Sequence, residues 1–238
     1  MNTISKKPKP FYKIAGRFLL EFFRYSKTYH IPWKAFSEFP VYYNYNKILK
    51  SPAEIGLPWI AHSAFLYMEN YLTPNMRILE FGCGGSTLYF AKKVGQVISI
   101  EDNHEWYTVM KERTNTFSGV ELRHIPVDKG FISGEFASNM NELKNTHSYK
   151  TYALGASDVQ NESIDVLVID GRARIGCLRT NLSKLKRDGM VLFDNTDRTA
   201  YASGIQEILG EWDRFDFSGV TVSEYYFTQT SIFKRKTQ

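Results

Sequence analysis

Short, mostly apolar runs recur along the chain, and each is followed directly by a glycine or an acidic residue. Five of them occupy residues 78–81, 97–100, 120–127, 164–169 and 190–193. Apolar runs of four to eight residues bounded by turn residues are typical of buried strands in a parallel sheet. Because segments with helical spacing lie between them, the pattern predicts an α/β protein.

Two further strand-like runs lie near the C-terminus, at 215–217 and 225–233, and the second alternates in side-chain character. We therefore predict a doubly wound, mostly parallel seven-stranded sheet that ends in an antiparallel strand pair. Helices are predicted at 59–71, 88–93, 106–113, 149–154, 173–185 and 201–209. Residues 186–189 are interpreted as a helix end, with Gly189 as its cap.

The first 50 residues have a pattern of their own. Apolar residues at positions 11, 14, 15, 18, 19, 22 and 23 follow a helical spacing, with lysines and arginines on the other side. Such a basic amphipathic helix can lie on an anionic membrane surface, or it can pack on its own domain or on a second subunit of a homo-oligomer. Residues 1–50 are predicted to be a basic, aromatic-rich helical extension, and residues 51–238 the main domain.

A glycine-rich segment follows the first predicted strand, with the sequence Glu80-Phe81-Gly82-Cys83-Gly84-Gly85-Ser86-Thr87. Ser86 and Thr87 can cap the helix that comes next. The glycines permit a tight turn and the close approach of a ligand, so the loop is predicted to bind negatively charged ligand groups. It lacks the lysine of a Walker phosphate loop, and Thr87 stands where the dinucleotide fingerprint has its third glycine.

The pattern Glu-x-Gly-x-Gly resembles the first motif of class I S-adenosylmethionine-dependent methyltransferases, with Ser86 in place of that family's third glycine. The resemblance covers roughly residues 55–236. It implies a Rossmann-like seven-stranded fold, S-adenosylmethionine as cofactor and methyl transfer as the reaction. The cofactor-binding residues that it implies in this loop are Glu80, Gly82, Gly84, Gly85, Ser86 and Thr87.

Glu101 stands at the end of the second predicted strand, 21 residues after Glu80. An acid at about this distance from a glycine loop accepts hydrogen bonds from ribose hydroxyls in dinucleotide folds, so Glu101 is predicted to bind the cofactor ribose. The segment is also similar to the second motif of the methyltransferase family. Other residues expected beside the cofactor are Asp102, Trp106, Asp128, Asp170 and Trp59.

Acidic and amide side chains follow the fourth and fifth predicted strands. Asp170, Asp194 and Asn195 are therefore expected to converge at the carboxyl edge of the sheet. Their oxygens suit Mg²⁺, and the trio resembles the metal site of catechol-type O-methyltransferases. Without a metal, Asp170 could instead act as general base, with Asp194 as a second catalytic candidate. Arg172, with Arg174, could hold an acidic group of the substrate.

The net charge of +5 is unevenly distributed, because residues 1–50 carry +8 and the remainder −3. A site for nucleic acid would be expected to have a basic face, so no nucleic-acid partner is expected. No apolar stretch reaches transmembrane length. Since the two cysteines lie in unrelated motifs, a cytoplasmic protein is expected, peripheral at the inner membrane surface if the N-terminal helix binds lipid.

Three classes of function remain open. The expected one is O-methylation of a small molecule or glycan, since no Asn-Pro-Pro-Tyr motif of the nucleic-acid amino methylases follows the fourth strand. A nicotinamide oxidoreductase would share the glycines and Glu101, but it would not explain Glu80. A non-catalytic binding or scaffold protein would keep the fold, with the basic N-terminus as its working part.

Overall fold

The computed structural model describes residues 8–29, 33–47, 50–130, 134–137 and 147–237. One sheet contains seven strands: β1 (Arg77–Phe81), β2 (Gln96–Glu101), β3 (Val120–His124), β4 (Ile164–Ile169), β5 (Leu185–Asp194), β6 (Asp213–Val220) and β7 (Phe227–Lys234). Their order across the sheet is β3-β2-β1-β4-β5-β7-β6. The strands β1 to β5 are parallel, and β7 is antiparallel to both of its neighbours. The predicted fold class is confirmed.

The chain reverses its direction of travel across the sheet at β1, which has β2 on one side and β4 on the other. In doubly wound sheets, ligands bind beyond the carboxyl ends of the strands at this point. Both β1 and β4 are almost wholly buried, as their apolar runs predict. A ligand site is therefore expected at the loops after β1, β2, β4 and β5.

Helices cover both faces of the sheet. They are α3 (Pro52–Ile55), α4 (His62–Tyr71), α5 (Gly85–Ala91), α6 (His104–Thr114), α7 (Lys150–Ala153), α8 (Arg174–Asn181) and α9 (Thr199–Leu209). Side chains of α7, α8 and α9 form one apolar layer with the sheet, and side chains of α4 and α5 form the layer on the opposite face. The short helix α3 is absent from the sequence prediction, and α4 begins three residues later than predicted.

The interpretation of residues 186–189 as a helix end is wrong, because they belong to β5. The Lys186 ammonium lies 2.7 Å from the Asp165 carboxylate on β4, and the pairing of the two strands shifts register between Ile164 and Val166. This ion pair and the irregular register let a charged segment continue the strand. The sequence interpretation had taken Gly189 as the cap of the preceding helix.

The N-terminal extension packs on its own domain. It contains α1 (Phe11–Ser26), a 3₁₀ helix (Trp33–Glu38) and α2 (Phe39–Lys47). Its buried side chains form one cluster with Val220 of β6 and Phe227 of β7. The division of the chain at residue 50 stays a prediction, although the described part of the extension shares a core with the sheet edge. Within the described ranges, no helix is both long and apolar enough to cross a membrane.

Candidate active site

The loops after β1, β2, β4 and β5 surround a cavity of about 540 Å³. This volume falls within the range of about 300–1,000 Å³ that is usual for small-ligand sites. The glycine loop and the end of β2 contribute to the lining, and so do charged side chains that follow β4 and β5. Lining residues that the sequence had singled out are Trp59, Gly82, Gly84, Gly85, Ser86, Glu101, Asp102, Trp106, Asp170, Arg172, Arg174, Asp194 and Asn195.

The glycine loop lies against the loop that follows β4. Gly82 has a φ of +95°, and a Cβ there would be 2.8 Å from the Gly171 Cα. A side chain would therefore be strained by its backbone conformation and would collide with the neighbouring loop. At Gly84, by contrast, a Cβ would meet no atom within 4 Å. The loop is thus closely packed at its start and open on the cavity side at Gly84.

Glu80 and Thr87 support this loop from below. The Thr87 and Ser99 hydroxyls each donate to the Glu80 carboxylate at 2.6 Å, and Thr87 also accepts from the Gly84 amide at 2.9 Å. Both residues are wholly buried, and neither belongs to the described lining of the cavity. Direct contact of Glu80 and Thr87 with the cofactor stays a prediction. They hold the backbone that forms the cavity wall.

The Glu101 carboxylate is fixed at the cavity wall by two backbone amides. Its oxygens accept from the Cys83 amide at 3.1 Å and from the Asn103 amide at 2.9 Å. Each oxygen retains further acceptor capacity, since a carboxylate offers about four lone-pair positions. Burial raises the pKa of Glu101. The residue is therefore an oriented acceptor of the kind that binds vicinal hydroxyls, as the sequence predicts.

The remaining residues expected beside the cofactor have different positions. The Trp106 indole donates to the Cys83 carbonyl at 2.8 Å, which joins α6 to the glycine loop, and Asp102 lies 3.8 Å from Arg172. Trp59 lines the cavity and is 44% exposed. Asp128 is outside the described cavity lining, in a two-stranded ladder where it accepts from the Thr151 amide at 3.0 Å. Contact between Asp128 and the cofactor therefore stays a prediction.

Arg174 organises the charged wall. Its guanidinium lies 2.9 Å from the Asp170 carboxylate and 3.8 Å from that of Asp194, and it also donates to the backbone carbonyls of both aspartates. Burial raises the pKa of both carboxyls, and Asp170 raises that of Asp194 further. Two buried carboxyls that face one guanidinium are electrically balanced when they share one proton. Asp170 is the more exposed of the two, so it is the one that an acceptor can reach.

The structure does not support the magnesium hypothesis for Asp170, Asp194 and Asn195. The Arg174 guanidinium and one shared proton balance the two carboxyls, Asp194 accepts from the Thr230 hydroxyl at 2.6 Å, and the Asn195 amide donates to Thr228 at 2.9 Å. A divalent cation would have to displace or repel Arg174. In the part of the chain that the structure describes, no group of three or more His, Cys, Asp or Glu side chains could hold a metal. Arg174 is likewise not free to bind a substrate anion, whereas that role for Arg172 stays a prediction.

Sequence reasoning missed several lining residues, which are Ser51, Pro52, Ala53, Arg198, Tyr201, Thr221 and Tyr226. Ser51 to Ala53 reach the cavity because the backbone of α3 packs on Gly85, where there is no space for a Cβ. Thr221 and Tyr226 lie in the connection between β6 and β7, which topology alone brings to this edge. Arg198 had a detectable signal, since it follows Asp194 on the same loop.

Glu80 is expected to make stability fall as pH rises. Burial raises its pKa from 4.5 to about 7, so the folded protein binds a proton that the unfolded chain releases. Stability from this group is complete below about pH 4.5 and is lost as the pH rises through about 7. Between pH 5 and 7.5, Glu80→Gln should therefore lose less stability than the wild type, by at most about 3 kcal/mol. Urea unfolding at several pH values measures this, and equal pH dependence of the two proteins would contradict it.

Neither a family model nor a curated protein matches the chain. Solved structures do resemble it. An rRNA methylase from Streptococcus thermophilus has a TM-score of 0.51 and 10% identity, with 74% of this chain and 96% of that chain covered. A candidate methyltransferase from Streptococcus mutans, solved in complex with SAH, has a TM-score of 0.50 and 9% identity, with 73% and 96% covered. A methyltransferase-like protein from Silicibacter pomeroyi is 24% identical at a TM-score of 0.45, with 68% and 81% covered.

Identities this low show the fold alone. The strand order and the likeness to the two Streptococcus structures together establish that the chain has the fold of class I S-adenosylmethionine-dependent methyltransferases. These likenesses do not identify a reaction.

Proposed function

We propose that this protein is an S-adenosylmethionine-dependent methyltransferase that methylates a hydroxyl group of a small molecule or glycan. One observation carries the proposal: a glycine loop, an oriented Glu101 and the Asp170 carboxyl line the same cavity. A nucleotide-type cofactor and an acceptor hydroxyl can thus be held side by side. The SAH bound to the Streptococcus mutans structure gives this choice of cofactor further support.

The residues fit this cofactor. The open side of Gly84 accommodates a ligand against the loop, Glu101 accepts hydrogen bonds from ribose hydroxyls, and Asp102 and Trp106 flank the same wall. When bound, S-adenosylmethionine supplies a methyl group already activated on a sulfonium. Most of the rate then comes from holding the acceptor oxygen in line with that methyl group.

Asp170 is assigned as the general base. It lines the cavity, and its raised pKa makes it a stronger base than an exposed carboxylate. It would take the acceptor hydroxyl's proton while the hydroxyl oxygen bonds to the methyl carbon and the bond from that carbon to sulfur breaks, which would leave S-adenosylhomocysteine. Asp194 and Arg174 are positioning residues, because their bonds fix the Asp170 carboxylate and balance its charge.

A macromolecular acceptor such as RNA is less well supported. Nucleic-acid binding draws most of its affinity from neutralised phosphates, which requires an excess of basic side chains near the site. Residues 51–238, which form the cavity, carry a net charge of −3. Likeness to an rRNA methylase at 10% identity concerns the fold and does not alter this.

A methyl-label assay tests the proposal. The full chain is incubated with cofactor labelled on its methyl group and a cell extract separated into RNA, protein, glycan and small-molecule fractions. We expect label in an alkali-stable methyl ether of the glycan or small-molecule fraction, and none with Asp170→Asn. Label confined to RNA or protein would contradict the proposed acceptor, and absence of label everywhere would contradict the proposed reaction.

Glu101→Ala is expected to weaken binding of S-adenosylhomocysteine by about 10- to 150-fold. The variant would lose one charge-assisted hydrogen bond to the ribose. Such a bond contributes about 1.5–3 kcal/mol to binding. Titration calorimetry measures the change. The matched control is Glu105→Ala, which removes an exposed carboxylate four residues further along, outside the described cavity lining. If both variants bind like the wild type, Glu101 is not a ribose ligand.

A further inference from the structure

Helix α1 has two apolar faces, and the domain covers only one of them. Ile14, Phe18 and Phe22 are buried in the cluster that includes Val220 and Phe227. The single apolar face that the sequence predicts is therefore split. Part of this apolar face joins the core. Only the apolar side chains that stay exposed on α1 are available to contact a membrane.

A second apolar stripe stays exposed on α1. Tyr12, Leu19, Leu20 and Phe23 are between 44% and 70% exposed. Positions 12, 19 and 23 recur at i, i+7 and i+11, which places them on one side of the helix. The Trp33 ring, 77% exposed, extends the surface, because Phe22 contacts the rings of both Phe23 and Trp33. We refer to Tyr12, Leu19, Leu20, Phe23 and Trp33 as the outer stripe.

The surface beside the outer stripe is positively charged. Lys13, Arg17, Arg24 and Lys27 are exposed along α1. The helix contains one acidic residue, Glu21, which is buried and lies 3.4 Å from Arg17 and 2.6 Å from Arg24. The exposed part of the helix thus presents apolar side chains next to basic ones, with no carboxylate between them.

We propose that the outer stripe docks on the surface of an anionic lipid bilayer. Such a surface provides an apolar layer for Leu19 and Phe23 beneath negatively charged headgroups for the flanking lysines and arginines. A tryptophan at the edge of the stripe suits the boundary between headgroups and acyl chains. A second copy of the chain is a poorer occupant, because two such helices side by side would bring their basic residues together without any exposed carboxylate to offset them.

Point substitutions test this surface better than removal of the helix. The Tyr25 hydroxyl donates to the Asp197 carboxylate at 3.1 Å, and Tyr29 donates to the Asp197 carbonyl. Asp197 precedes Arg198 of the cavity lining, so deletion of α1 would disturb the loop that carries Asp194 as well as the core. Substitutions in the outer stripe leave those contacts in place.

The experiment uses the full chain and sedimentation with vesicles of phosphatidylcholine, alone or with 30% phosphatidylglycerol. We expect binding to the anionic vesicles only, with a decrease at high salt. Leu19→Ser/Phe23→Ser should reduce the bound fraction at least tenfold, and Lys13→Gln/Lys27→Gln should reduce it severalfold. Leu66→Ser/Phe215→Ser removes two comparably exposed apolar residues elsewhere and should bind like the wild type. Circular dichroism and melting temperature show that each variant is folded, without reference to any enzymatic activity.

Two results would overturn the proposal. One is an equal bound fraction of the wild type and the Leu19→Ser/Phe23→Ser variant on anionic vesicles. Failure of both proteins to bind these vesicles counts as the same result. The other is a concentration-dependent dimer in sedimentation equilibrium that Phe23→Ser dissociates, because it would identify a second copy of the chain as the occupant. Neither result would bear on methyl transfer, which rests on the cavity.

Discussion

Asp170→Asn should lower turnover by about 10²- to 10⁴-fold, which is the range attributed to general acid–base catalysis. The amide cannot take a proton from the acceptor, whereas its size preserves the packing around Arg174. Binding of S-adenosylhomocysteine should change much less than turnover, since the predicted ribose ligand Glu101 is a separate side chain at the end of β2. Single-turnover rates with saturating cofactor measure the chemical step.

The control for this substitution is Asp213→Asn, an exposed carboxylate on β6 that should leave turnover unchanged. Chelation by EDTA should also have no effect, because Arg174 balances the two aspartates where a metal would otherwise be needed. Full activity of Asp170→Asn would exclude the base. Loss of activity with EDTA and its return with Mg²⁺ would contradict the description of Arg174 as the counter-charge.

Arg174→Ala should destabilise the protein by about 3–5 kcal/mol, the cost of leaving buried carboxylates without their partner. For a chain of this size, that corresponds to a melting temperature lower by about 6–20 °C. The guanidinium also donates to backbone carbonyls of Asp170, Gly171 and Asp194, which would lose these hydrogen bonds. Thermal and urea unfolding at pH 7.5 measure the effect.

A second substitution separates charge from packing in this experiment. Arg174→Ala/Asp194→Asn removes one of the unpaired carboxylates, so it should recover part of the lost stability. Arg172→Ala is the matched control, because Arg172 is 38% exposed and its distance to Asp102 is 3.8 Å. We expect a change within about 1 kcal/mol there. Equal effects of the two single substitutions would show that Arg174 is not the centre of a buried network.

The sequence predicts the fold well because the central strands are apolar on both faces and end abruptly. In β1, β2 and β4, the change from apolar residues to glycine or acid coincides with the observed carboxyl edge. That edge is where Glu101 and Asp170 were expected, and both line the cavity. Strand β5 departs from this rule at its start, where an ion pair with β4 stabilises charged residues in the sheet.

The role of Arg174 could not be read from sequence. Its spacing of four from Asp170 is that of an ordinary surface ion pair on a helix. Only the pairing of β4 with β5 brings Asp194 to the same guanidinium. Arg174, a predicted substrate-binding residue, is therefore paired with Asp170 and Asp194. The same pairing removes the basis of the metal hypothesis.

Helix periodicity likewise did not show which side of α1 packs on the domain. The apolar positions of α1 occupy more than one face, and the sequence does not say which face the domain covers. Packing on Val220 and Phe227 selects Ile14, Phe18 and Phe22, because those side chains point toward the edge of the sheet. Glu80 and Thr87 show a related limit, since the motif does not reveal that their side chains hold the backbone of the glycine loop.

Titration calorimetry of the purified full chain with S-adenosylhomocysteine and, separately, with NAD⁺ tests the central claim most directly. The glycine loop and Glu101 are common to sites for both ligands, so binding itself has to distinguish them. We predict saturable binding of one S-adenosylhomocysteine per chain, weakened in Glu101→Ala, and no heat with millimolar NAD⁺. Binding of NAD⁺ with no response to S-adenosylhomocysteine would contradict the account and identify the cavity as a nicotinamide site.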